Sequence, residues 1–146
     1  MTRTSPIERL TNTDSSKVTI VPRVIAGGPL VAINLMHLSG AAPLKPILEG
    51  ANIPMAGVNA IVGPIFGVIA GLLFLSGAFA RVGAAIAIGS MVMALYTHAM
   101  FDHANHEWAD EPFIGLPIAV LLAAAWVLWK GAGKWSVDGR NKPADA

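Results

Sequence analysis

The amino-acid sequence predicts an all-α integral membrane protein: a four-transmembrane-helix bundle with its N and C termini in the cytoplasm. Three observations carry this. The 146 residues are 54% hydrophobic and only 13% charged, where soluble domains carry roughly a quarter charged residues. Four apolar stretches approach the roughly 20 helical residues that a bilayer core of about 30 Å requires. Threaded through a bilayer, those stretches put nine of the ten basic residues on one side, and only Lys45 on the other. Such an excess of Lys and Arg marks the cytoplasmic side.

The elements follow in order. Residues 1–17, MTRTSPIERLTNTDSSK, are polar and form a cytoplasmic N-terminal tail. They lack the apolar run and small-residue cleavage site of a signal peptide, so the first span is expected to be an uncleaved anchor. The four-helix domain covers residues 18–138, with spans over about 18–38, 58–79, 82–101 and 113–129. Span one is the least apolar, holding Pro22, Arg23, Pro29, Asn34 and His37. Arg23 is expected to snorkel towards the headgroups, and Pro29 to kink the helix. It is counted as a span because an even number keeps both basic tails on one side. Ala80 and Arg81 are expected to form the turn between spans two and three. The outer loop before span two holds PLKPILEGANIP, which can form one short interfacial helix. The outer loop after span three carries Asp102, Glu107, Asp110 and Glu111 without Lys or Arg. Residues 139–146 form a flexible C-terminal tail.

Small residues supply the packing. Gly63, Gly67 and Gly71 recur every fourth residue in span two, Gly83, Ala87, Gly89 and Ser90 lie in span three, and Ala119, Ala123, Ala124 and Ala125 in span four. They let backbones approach where no hydrophobic drive operates between helices. The same residues serve bundle packing or a homo-oligomer face. Trp108, Trp126, Trp129 and Trp135 flank span four as an aromatic belt.

Several function classes fall away. No cysteine is present, which removes disulfides, thiol relays and iron–sulfur clusters held by the chain's own cysteines. No basic stripe with interleaved aromatics points to nucleic acid. GxSxG, HExxH and phosphate-binding loops are absent. Spans two, three and four contain no Asp, Glu, Lys or Arg, and ion transport usually shows itself by such groups.

Histidines are the remaining chemistry. His37, His98, His103 and His106 all fall in the outer half. His37 and His98 sit near equivalent helix ends and can face one another as ligands of a haem iron, while Tyr96 beside His98 can hydrogen-bond a quinone. If span three continues past Phe101, His98, Asp102 and His106 recur on one helical face, with His103 and Glu107 as a second pair. Imidazole with carboxylate is ordinary chemistry for a divalent metal. The alternative is interfacial: histidines at a lipid boundary keep a polar tip wet. The candidate cofactors are therefore haem, quinone or a divalent metal.

Three stretches together resemble the DoxX-like family of small four-helix membrane proteins. They are PRVIAGGPLVAINLMHLSG with Arg23, GVIAGLLFLSGAFARVGA with Gly71, Gly77 and Arg81, and GAGKWSVD with Gly131, Gly133, Ser136 and Asp138. His98 also falls where many members carry a histidine. One departure stands out: members often hold a carboxylate in span two, where this chain reads GPIFG. The resemblance implies a bacterial-type inner-membrane protein, linked to redox functions through quinone-dependent oxidoreductase subunits and oxidative-stress complexes. Gly131 and Gly133 are expected to end span four, with Ser136 and Asp138 bracing the cytoplasmic turn. The expected function is a non-catalytic subunit or scaffold of a redox or respiratory-type membrane complex. Its partners would be the lipid bilayer and other membrane subunits or further copies of itself. Two alternatives stay open: a haem-, metal- or quinone-binding electron-transfer protein using the outer histidines, and a small-solute transporter.

Overall fold

The structure is a computed structural model that describes residues 11, 18–101 and 114–140. Those residues form six helices: α1 (Ile20–Ser39), α2 (Lys45–Gly50), α3 (Ala56–Ser76), α4 (Ala80–Met100), α5 (Gly115–Lys130) and α6 (Val137–Arg140). The four long helices close into a ring in which α1 packs on α3, α3 on α4, α4 on α5, and α5 on α1. α1 and α4 are therefore diagonal.

Three helices, α1, α3 and α4, are long and apolar enough to cross a membrane. The helix at the expected fourth span, α5, is shorter than the roughly 20 residues a bilayer core requires. α5 has 16 residues, about 24 Å at 1.5 Å per residue.

Side chains are sorted by size rather than by polarity. The core is dominated by alanine (Ala26, Ala70, Ala80, Ala84, Ala87, Ala123, Ala124), with Leu30, Phe74, Val120 and Val127 among them. Large apolar residues such as Ile61, Phe66, Leu72, Val92 and Leu122 face outward. Only 22–28% of each long apolar helix is buried. In water this surface would be unstable; against lipid it is the ordinary arrangement, because close packing of small residues holds the helices together.

The closest approach joins α1 to α3. A Cβ on Gly27 would stand 3.0 Å from the Gly71 carbonyl oxygen, and one on Gly71 would stand 2.9 Å from that of Gly27. The two backbones touch here, and no larger residue fits. One turn further along, Gly67 makes room for the side chain of Asn34. Gly63 and Gly89, expected to pack in the same way, face open space. They lie on the outer surfaces of α3 and α4. α1 continues as helix through Pro29.

At one end, α2 folds back over the bundle. Leu48 packs with Ala51, Ile53, Ala56 and Phe101 in a second small core. An exposed Lys45–Glu49 pair at 3.6 Å spans its outer face.

Candidate functional site

At the opposite end, three distant parts of the chain meet around one arginine. Arg23 lies in the first turn of α1 and is only 2% exposed. Its Nε donates to the Phe74 carbonyl at 2.7 Å and its Nη2 to the Leu75 carbonyl at 2.7 Å. Its Nη1 donates to the carbonyls of Ala132 at 3.2 Å and Trp135 at 2.8 Å. Four of its five N–H groups are placed by these bonds. The expected snorkelling is thus corrected: the side chain turns into the bundle. The physical reason is the set of acceptors it finds. Phe74 and Leu75 belong to the last turn of α3, where carbonyls lack intrahelical partners and the helix dipole is negative.

The turn after α3 is matched by an opposite charge. Gly77 ends α3 at φ +66°, with its N–H on the Leu73 carbonyl. Phe79, at φ +47°, starts α4. The connection is therefore residues 77–79, and Ala80 and Arg81 belong to the first turn of α4 rather than to the turn between spans. Asp138 supplies what that helix start lacks. Its Oδ1 accepts from the Phe79 N–H at 2.9 Å and its Oδ2 from the Ala80 N–H at 3.0 Å. Its own N–H donates to the Gly77 carbonyl at 3.1 Å. A carboxylate at a helix N-terminus satisfies orphan donors and complements the dipole.

The segment that brings Asp138 there is shaped by glycines. Gly131 ends α5 at φ +80°, its N–H on the Val127 carbonyl, and Gly133 follows at φ +82°. Ser136 Oγ donates to the Gly133 carbonyl and accepts from the Gly139 N–H at 2.9 Å. Gly77 must be bare: a Cβ would lie 2.5 Å from Ser136 Cβ and 2.6 Å from Arg23 Nη2. Residues far apart in sequence, Arg23, Gly77, Ser136 and Asp138, thus form one clasp.

The histidines lie at the α2 end. His37 Nδ1 is 2.7 Å from the Ala42 carbonyl, closing the end of α1. His98 is half-buried near the end of α4, on the helix diagonal to that of His37. Tyr96 is half exposed on the outer surface of α4. The expected helical continuation is not found at Phe101. α4 stops at Met100, and Phe101 is extended at φ −71° and ψ 126°. Asp102, His103, His106 and Glu107 lie outside the described residues, as do Trp108 and the rest of that acidic loop. Among the described residues no group of three or more His, Asp or Glu is placed to hold a metal ion.

Asn34 escaped sequence reasoning as a functional part, and Thr97, which with Tyr96 can hydrogen-bond a quinone by its place beside His98, is turned to its own helix. Asn34 Nδ2 donates to the Leu30 carbonyl at 2.7 Å while its side chain covers Gly67. Thr97 Oγ1 donates to the Met93 carbonyl at 2.9 Å. The only available signal was an amide in span one opposite a glycine row in span two.

Comparison with protein-family models, with curated proteins and with solved structures yields no match.

Proposed function

We propose that this chain is a DoxX-like membrane protein crossing the bilayer four times, with both termini in the cytoplasm, and that it serves as a non-catalytic subunit or scaffold of a redox or respiratory-type membrane complex. One observation carries the reading. Five polar side chains among the described residues are spent on the bundle's own backbone: Arg23 on four carbonyls, Asp138 on two amides, and Asn34, His37 and Thr97 each on one carbonyl. What remains outward is apolar surface suited to lipid and to other helices. The residues behind the DoxX-like resemblance support it further, since Arg23, Gly77, Ser136 and Asp138 act together although they span most of the sequence. The short α5 is accommodated if the bilayer thins or flanking residues snorkel there.

Gentle detergent extraction followed by mass spectrometry of whatever co-purifies tests the subunit role. A reproducible membrane-protein partner is expected; a stable solitary monomer overturns it. Absorbance and metal analysis of the pure protein test the other reading. A Soret band, bound quinone or stoichiometric metal would replace the scaffold with an electron carrier at the histidine end. Site-specific labelling that places residues 102–112 in the cytosol would overturn the topology.

A further inference from the structure

A second arginine at the clasp end is left short of partners. Arg81 has one side-chain hydrogen bond among the described residues, from Nη2 to the Trp129 carbonyl at 3.4 Å. That is longer than a good N–H···O bond. Its Nε is buried and has no acceptor. The next residue of α5, Lys130, holds its Nζ 4.8 Å from the Trp129 ring centroid. Two cations therefore flank one tryptophan, Arg81 at its backbone and Lys130 at its ring. The nearby carboxylate of Asp138 is occupied by the Phe79 and Ala80 amides.

An apolar groove leads to this corner. It is a shallow, open furrow of about 410 Å³ between α1 and α5, walled by Val21, Ile25, Leu122, Ala123 and Trp126. Trp126 meets Trp129 edge-on, with ring centroids 6.5 Å apart. Trp129 itself is 72% exposed. Groove, paired indoles and cations thus succeed one another towards the end of the bundle.

We infer that this corner binds an anionic phospholipid, with its phosphate between Arg81 and Lys130, Trp129 at headgroup level, and an acyl chain in the groove beside Trp126. The inference rests on the membrane reading above. The apolar groove calls for a chain, which a free phosphate lacks. The two cations call for net negative charge, which a zwitterionic lipid cancels with its own ammonium. Arginine offers the planar fork that phosphate oxygens match, and the outer nitrogens of Arg81, which carry a single long bond, are the ones open to it. Basic residues near a membrane surface draw anionic lipid in this way, and indoles favour the interface.

The test uses the full chain in mild detergent. Resistance of the chain to alkaline carbonate extraction is measured first, so failure of the membrane reading shows before any lipid is added. Native mass spectrometry then follows titration with phosphatidylglycerol, with phosphatidylcholine of the same chains, and with inorganic phosphate alone. Retention of phosphatidylglycerol over phosphatidylcholine by roughly tenfold is expected. The double variant Arg81→Gln, Lys130→Gln should lose that preference while keeping its unfolding midpoint. Lys134→Gln, an exposed cation, should keep the preference. Equal retention of the two lipids overturns the inference, as does a preference that survives the double variant. Inorganic phosphate binding as tightly as phosphatidylglycerol would make the corner a free-anion site and also overturn it. So would a dimer that Ala119→Trp, which fills the groove, dissociates.

Discussion

Two arginines stand at the same end of the bundle, each in the first turn of a helix, and they are used in opposite ways. Arg23 is enclosed and donates four hydrogen bonds to carbonyls of α3 and of the segment after α5. Arg81 has one long bond and an unmatched Nε. The difference follows from their surroundings. Arg23 meets a helix C-terminus and the glycine-shaped segment beyond α5. Arg81 also reaches a helix end, the Trp129 carbonyl in the last turn of α5, but only at 3.4 Å and with no second chain segment to bond. The contrast teaches that a basic residue beside a membrane helix is not one kind of object: its acceptors decide whether it is structure or recognition.

The sharpest way to break the contrast is Arg23→Ala. It leaves buried carbonyls unmatched and a cavity behind, and should cost about 3–5 kcal/mol, as loss of one partner from a buried charged network does. Denaturant titration in detergent micelles would measure it. Arg23→Lys should recover only part, because an ammonium has no planar fork to reach both chain segments at once. Next comes Asp138→Ala, which strips acceptors from the Phe79 and Ala80 amides and should cost about 2–3 kcal/mol. Its effect should be non-additive with Arg23→Ala, since both act on the same turn. A double-mutant cycle giving simple addition would separate the two halves of the clasp.

Gly77→Ala should cost about 2 kcal/mol. It puts a Cβ on a left-handed residue and against Arg23 and Ser136. An unchanged midpoint would mean that the turn relaxes away from Arg23. The smallest effect is expected from Arg81→Gln, below about 0.5 kcal/mol, as for a side chain with few structural partners. A loss comparable with that of Arg23→Ala would erase the distinction drawn here.

Much of the fold was legible before any coordinates. Hydropathy located α1, α3 and α4 to within a few residues, because each is a long apolar run flanked by polar or turn-forming residues. The short helix in PLKPILEGANIP was legible for the same local reasons. Long-range matching was not. Arg23 read as a snorkelling anchor because its acceptors lie 51 to 112 residues away, beyond any local pattern. The turn at residues 77–79 was misplaced because Phe79, not a residue usually found at positive φ, begins α4 on amides held by Asp138. The glycine row in span two was only partly informative. Gly67 and Gly71 meet α1, but Gly63 does not, since a four-residue spacing drifts around a helix of 3.6 residues per turn. Whether His37 and His98 are neighbours depends on the ring order of the helices, which periodicity does not encode.

The clasp also bears on the order in which the protein is made. The acceptors at Ala132 and Trp135, and the carboxylate at residue 138, are among the last described parts of the chain to leave the ribosome. Until they arrive, the first helix holds a guanidinium that only α3 can serve, and α4 starts on bare amides. The ring of four helices thus stays unlocked until the segment after α5 has followed them.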